Sequence, residues 1–230
     1  MNGEFILGNW DWSAIFTGCA VAVSLIALWL QRRDLKKQAK YQRDTFELQN
    51  IINENNILID LAAEVIGNIQ NQVQVLETLY QEENFKRSSE NNILELGRLR
   101  PQYEVDPNDF KEQRDNKQKA EEKIEELNDF MKDLTKELTD KGNAIQLQMS
   151  GSETYDDVRN IMKEIQELLS DMRLEIESVD QDVVFKKVEI LNWAKQYTDK
   201  EIAILNKFRD VFIDKKGKSS KKLEEMKLEV

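Results

Sequence analysis

Between Trp12 and Leu30 the chain runs 19 residues without a charged side chain, and Arg32 and Arg33 follow almost at once. About 20 apolar residues, rising 1.5 Å each along a helix, cross a hydrocarbon core of ~30 Å. Apolar side chains fall on every face of this segment, which separates it from a surface helix with one apolar stripe. Trp12 stands at one end and Trp29 and Leu30 at the other, where amphipathic rings favour the headgroup level. The run predicts a transmembrane helix over residues 12–30, preceded by a short extracytoplasmic stretch over residues 1–11.

Two other targeting readings fit the flanks less well. A cleaved signal peptide needs positive charge ahead of its apolar core, and only Glu4 and Asp11 carry charge among the preceding side chains. Phe16-Thr17-Gly18-Cys19 resembles a lipoprotein box, yet most of the apolar run follows the cysteine instead of preceding it. Cys19 therefore reads as a plain intramembrane thiol. Beyond the run come Arg32, Arg33, Lys36, Lys37, Lys40 and Arg43, with Asp34 among them. Positive-inside bias then puts the N-terminus outside and the rest of the chain in the cytoplasm. The same cations are suited to anionic lipid headgroups. Ala14, Gly18 and Ala22, spaced by four, give the span a small-residue face through which two copies could approach closely.

The remaining chain has the composition of long helices. Charged residues make up 33%, and the whole sequence holds only 2 prolines and 8 glycines, too few for the turns of a sheet protein. A net charge of −11 argues against nucleic acid as a partner, since phosphates call for a basic face. There is no histidine, so the commonest general base and metal ligand are missing. One cysteine makes no internal disulfide and, without histidine, no zinc site. The expectation is a protein that is not an enzyme, with no catalytic residues, metal or cofactor.

Periodicity predicts the helices. Leu58, Leu61, Val65, Ile69, Val73, Leu76 and Tyr80 draw one stripe, so residues 31–82 read as a basic juxtamembrane segment leading into a first long helix. Both prolines lie in residues 97–109, and residues 83–107 read as frayed helix and loop. Asp106 before Pro107 is a start signal for a second helix over 108–149. There Ile124, Leu127, Met131, Leu134 and Leu138 repeat 3-4-3-4, the seam of a coiled coil, and Ile145 keeps phase past a kink expected at Gly142. Ser150 with Glu153, and Thr154 with Asp157, have capping-box spacing. A third helix over 150–214 then carries Val158, Ile161, Ile165, Leu168 and Met172. Its stripe shifts near residues 178–182, where a break would create a fourth helix, and resumes at Val188, Leu191, Ile202, Leu205 and Phe212. Trp193, Tyr197 and Phe208 read as bundle core. Residues 215–230 read as a disordered charged tail. The fold expected is all-α: a transmembrane helix followed by an antiparallel coiled-coil hairpin or a three- to four-helix bundle that also forms a homodimer or another homo-oligomer.

Carboxylate pairs such as Glu121 with Glu125 and Asp156 with Asp157 read as solvated helix faces in so charged a chain. The stretch NWDWSAIFTGCAVAVSLIALWLQRRDLKKQ resembles the start of many small bacterial single-pass membrane proteins, often carried on phages and mobile elements. Those begin with a Trp-x-x-Ile anchor and continue into a basic, Gln-containing helix. The layout is also similar to that of bacterial septation-ring regulators, with one span and an acidic cytosolic helical rod. These resemblances imply membrane anchorage and carry over no functional residue. The expected role is that of a membrane-anchored scaffold or regulator, phage- or defence-related, with membrane lipid, a second copy and a cytosolic protein as partners. The competing expectation is a membrane-permeabilising effector assembled through its span, against which the lack of any charge in that span counts.

Overall fold

The computed structural model describes residues 12–100, 106–179 and 183–228. Within these ranges side chains are described from residue 20 onward, except at 214–216, 218–220 and 222–228. Regular structure among the described residues is entirely helical: α1 (Trp12–Leu99), α2 (Pro107–Gln148), α3 (Tyr155–Ser178) and α4 (Lys187–Leu228). The chain divides into two compact units, one of Met1–Asn53 with Lys221–Val230 and one of Glu54–Ser220.

Local chemistry sets the helix ends. Pro101 follows the last turn of α1 in sequence and biases Arg100 away from helical geometry. Asp106 caps α2, its carboxylate accepting the Asn108 N–H at 2.8 Å with Pro107 in the first turn. The Met149 N–H closes that helix on the Ile145 carbonyl at 2.9 Å, and Gly151 supplies the left-handed turn (φ 83°) that side chains disfavour. Helix α4 opens with half of a capping box, the Glu189 carboxylate accepting the Lys186 N–H at 2.7 Å.

The unit of Glu54–Ser220 is an antiparallel four-helix bundle. Pairings between α1 and α2 descend on one helix as they rise on the other: Lys141 to Glu64 at 3.1 Å, Asn68 to Glu137 at 3.2 Å, Lys117 to Glu90 at 3.0 Å. The same reversal relates α3 to α4, through Lys207 to Glu164 and Trp193 to Glu175, both at 2.7 Å. It also relates α1 to α4, through Thr198 to Glu77 at 3.2 Å and, in the segment leading into α4, Asn84 to the Phe185 carbonyl, again 3.2 Å. The short turn after Met149 returns α3 along α2, where a side chain at Gly142 would meet the Met162 methyl. Up-down-up-down order follows from these contacts.

The core holds the α1 residues Leu58, Val65, Ile69, Val73, Leu76 and Tyr80, with Leu61 at its margin. On α2 and α3, Leu127, Met131, Leu134, Leu138, Val158, Ile161, Ile165, Leu168 and Met172 are buried, and Ile124 is partly buried against them. Full burial of each such side chain contributes about 1.5–3 kcal/mol against chain entropy. A polar layer between α1 and α2 interrupts the core: Gln72 donates to Asn68 Oδ1 at 2.6 Å and to the Leu134 carbonyl at 3.3 Å. Sliding α1 along α2 would bury those amides without partners, so the layer favours one register.

Several details refine or depart from the sequence reading. Residues 83–99 are helix, so α1 runs straight through the stretch read as frayed. The third helix stops at Ser178 and a separate fourth begins at Lys187, in keeping with the break that the sequence offered near residues 178–182. Helical geometry continues to Leu228, where a disordered tail was expected from residue 215; lysines are good helix formers and one glycine does not stop them. On α4, Trp193, Tyr197 and Phe208 join the core as read, with Phe212 buried and Ile190, Ile204 and Leu205 packed at its margin, but Val188, Leu191 and Ile202 are 65%, 55% and 51% exposed. The capping boxes also differ. Thr154 is the N-cap of α3 but makes no capping bond, its hydroxyl lying 3.3 Å from that of Ser152, and Ser150 sits in the preceding turn.

Candidate functional site

The surface that the sequence singles out lies on α1 within the unit of Met1–Asn53. Helical backbone begins at Trp12 and includes Ala14, Gly18 and Cys19, whose side chains lie outside the described ones. From Ala20 to Leu30 every residue is exposed, whichever face of the helix it occupies. Val23 is 66% and Trp29 61% exposed, and Leu30 at 42% is the least exposed of the large side chains here. Ala22, in the small-residue set, is exposed as well. Among the described residues no helix is long and apolar enough to cross a membrane. Described side chains cover 11 residues of the uncharged run, about 16 Å of helix at 1.5 Å per residue.

Arg32, Arg33, Lys36, Lys37, Lys40 and Arg43 are all exposed on α1. The Arg33 guanidinium lies 5.7 Å above the Trp29 ring, a cation–π contact that ties the first basic turn to the end of the apolar run. Among the described residues none of the six has a carboxylate partner, whereas in the bundle Lys117, Lys132, Lys141, Lys163 and Lys207 all pair with acids.

The bundle holds three polar features that periodicity did not reveal. Arg87 is only 6% exposed; one terminal nitrogen donates to the Ile176 carbonyl in the last turn of α3 at 3.3 Å, and the other, Nη1, is buried without a hydrogen-bond partner. It lines an open groove of about 510 Å³ with Lys86, Lys132, Arg173, Glu83, Glu90 and Glu177. Glu201 is buried on the core face of α4; that burial, and secondarily the charge of Glu77, pushes its carboxyl above the ordinary value. Glu175 gathers the third feature. Trp193 Nε1 donates to it at 2.7 Å, the indole stacks on Tyr80 with centroids 4.3 Å apart, and Tyr197 packs at 5.0 Å. Burial, then the hydrogen bond with Glu175, holds the Tyr197 phenol above its usual range.

Glu121, Glu125, Asp156 and Asp157 are exposed, the last two in the first turn of α3, where negative charge suits the helix dipole. Among the described residues no three potential ligands converge on a metal position. In comparisons with known proteins, no family model, no curated protein and no solved structure matches the chain. The functional reading therefore rests on this chain's own residues.

Proposed function

We propose that the protein is a single-pass membrane-anchored helical protein that acts by binding other proteins, with residues 12–30 as the anchor and the four-helix bundle on the cytoplasmic side. One observation carries the reading: the uncharged run continues as helix, and each of its described side chains faces outward with no protein packed over it. In water an apolar surface on all sides of a helix is unfavourable at about 25 cal/mol per Å². A bilayer covers it and leaves every backbone group bonded within the helix. The six cations after the run support the orientation.

A binding role is supported by the carboxylates on solvated faces and by the second apolar stripe of α4, at Val188, Leu191 and Ile202, which the bundle leaves uncovered. Self-association and docking of a cytosolic protein both belong to this proposal.

The test is alkaline carbonate extraction of membranes, joined to protease treatment of a C-terminal tag in intact and lysed spheroplasts. Retention in the carbonate pellet, with cleavage only after lysis, is the expected outcome. Release by carbonate defeats the anchor, and cleavage in intact spheroplasts defeats the orientation.

A further inference from the structure

The six cations after the uncharged run are arranged on one side of α1. At 100° per residue, Arg32, Arg33, Lys36, Lys37, Lys40 and Arg43 fall within an arc of about 140°, and Trp29 falls inside that arc. The opposite side carries Gln31, Asp34, Leu35, Gln38, Tyr41 and Gln42, with no cation. A topology signal depends on how many positive charges flank a span and is indifferent to their direction. One-sidedness has another physical use.

We infer that this ridge is a docking surface for anionic phospholipid headgroups, against which the first three turns beyond the anchor lie at a tilt. The inference rests on the anchoring reading and names the partner of the same region. Three observations support it. The ridge starts two residues after the uncharged run, so its cations stand at headgroup depth when that run occupies the hydrocarbon. All six side chains are exposed and without a carboxylate partner among the described residues, although the chain holds 44 acids. Arg33 rests on Trp29, which couples the ridge to an aromatic ring of the type that sits at the membrane interface. Negative lipid supplies the opposite charge.

The ridge also bears on self-association. Ala14, Gly18 and Ala22 occupy the same side of the helix by the same arithmetic. Parallel pairing through that small face would bring two cationic ridges together, which like-charge repulsion opposes.

The test uses the full chain reconstituted into vesicles of phosphatidylcholine with and without phosphatidylglycerol. Spin-labelled lipids report which headgroup the protein holds. A charge-moved variant, Lys36→Gln, Lys40→Gln, Gln38→Lys and Gln42→Lys, keeps the net charge and places two cations on the opposite side. Wild type is expected to immobilise labelled phosphatidylglycerol several-fold over labelled phosphatidylcholine, a preference that salt weakens. Moving the charges should cut it roughly fivefold for each side chain taken off the surface. Equal preference in wild type, or full preference in the charge-moved variant, overturns the ridge. So does abolition of the preference by excess duplex oligonucleotide, which would mark nucleic acid as the ligand. Alkaline extraction from pure phosphatidylcholine vesicles tests the anchor separately. A chain released there that still binds phosphatidylglycerol vesicles reversibly with salt loses the anchor and keeps the ridge.

Discussion

Residues 20–30 and residues 58–80 belong to the same helix and are both rich in large apolar side chains, but they meet different surroundings. In the first stretch every side chain is exposed. In the second, Leu58, Val65, Ile69, Val73, Leu76 and Tyr80 are buried while mostly polar residues occupy the exposed face. Apolarity on all sides suits a solvent that is itself apolar, and apolarity on one side suits a protein neighbour. The difference lies in the angular arrangement of the residues more than in their kinds.

The largest test of that contrast is a lysine placed in each stretch. Val65→Lys puts an unpaired charge at a position with 0% exposure and is expected to abolish the cooperative thermal transition of the bundle, followed by circular dichroism. Val23→Lys should leave that transition in place and instead weaken membrane insertion by about 2.5–3.5 kcal/mol, read from carbonate extraction. Equal effects of the two variants on the bundle transition would erase the distinction.

A smaller effect is expected at Arg87, the buried cation of the bundle. Arg87→Met gives up one hydrogen bond to the Ile176 carbonyl and removes a donor that is buried without a partner. An unsatisfied buried donor costs about 1–3 kcal/mol, so urea unfolding should show a neutral or stabilising change. Loss of more than about 3 kcal/mol would mean that the side chain contributes through its packing.

The pH dependence isolates Glu201. Its folded-state pKa lies above the ordinary 4.5 because of burial, with Glu77 adding to it. The fold thus favours the protonated acid: stability is greatest below the ordinary value and falls as pH rises through it to the folded one. Glu201→Gln should flatten that part of the stability–pH profile and stabilise the bundle at neutral pH, as measured by denaturant midpoints at several pH values. The smallest change is expected at Gly67, where an added Cβ would meet nothing within 4 Å. Gly67→Ala should raise bundle stability by about 0.5–1 kcal/mol.

What was legible in the sequence followed the same angular logic. The seams of α2 and α3 could be read because aliphatic residues repeat 3-4-3-4 there with charges between them. On α4 the aromatic core residues Trp193, Tyr197 and Phe208 were legible, but the aliphatic stripe misled because the helix carries two apolar faces. Val188, Leu191 and Ile202 form an aliphatic face left exposed, while the core face is largely aromatic and includes the carboxylate of Glu201. Counting aliphatics selects the first. The continuation of α1 to Leu99 was obscured by its polar sequence, though nothing before Pro101 breaks a helix. The cations from Arg32 to Arg43 were plain in the sequence, but that no carboxylate among the described residues pairs with them shows only in the fold. Arg87 and the Glu175 cluster depend on contacts between helices distant in sequence, such as Arg87 with Ile176, and no local pattern announces them.

The stacking of Trp193 on Tyr80, with its indole held by Glu175, has an optical consequence. Of the chain's 4 tryptophans, Trp10, Trp12 and Trp29 flank the uncharged run, and Trp193 alone belongs to the bundle. Emission from Trp193 reports the closure of α1, α3 and α4 on one another, and, if residues 12–30 are the anchor, emission from the other three is expected to respond to lipid. Trp193→Phe would silence the first signal and leave the second, so the protein can be followed from both ends in one cuvette without an added dye.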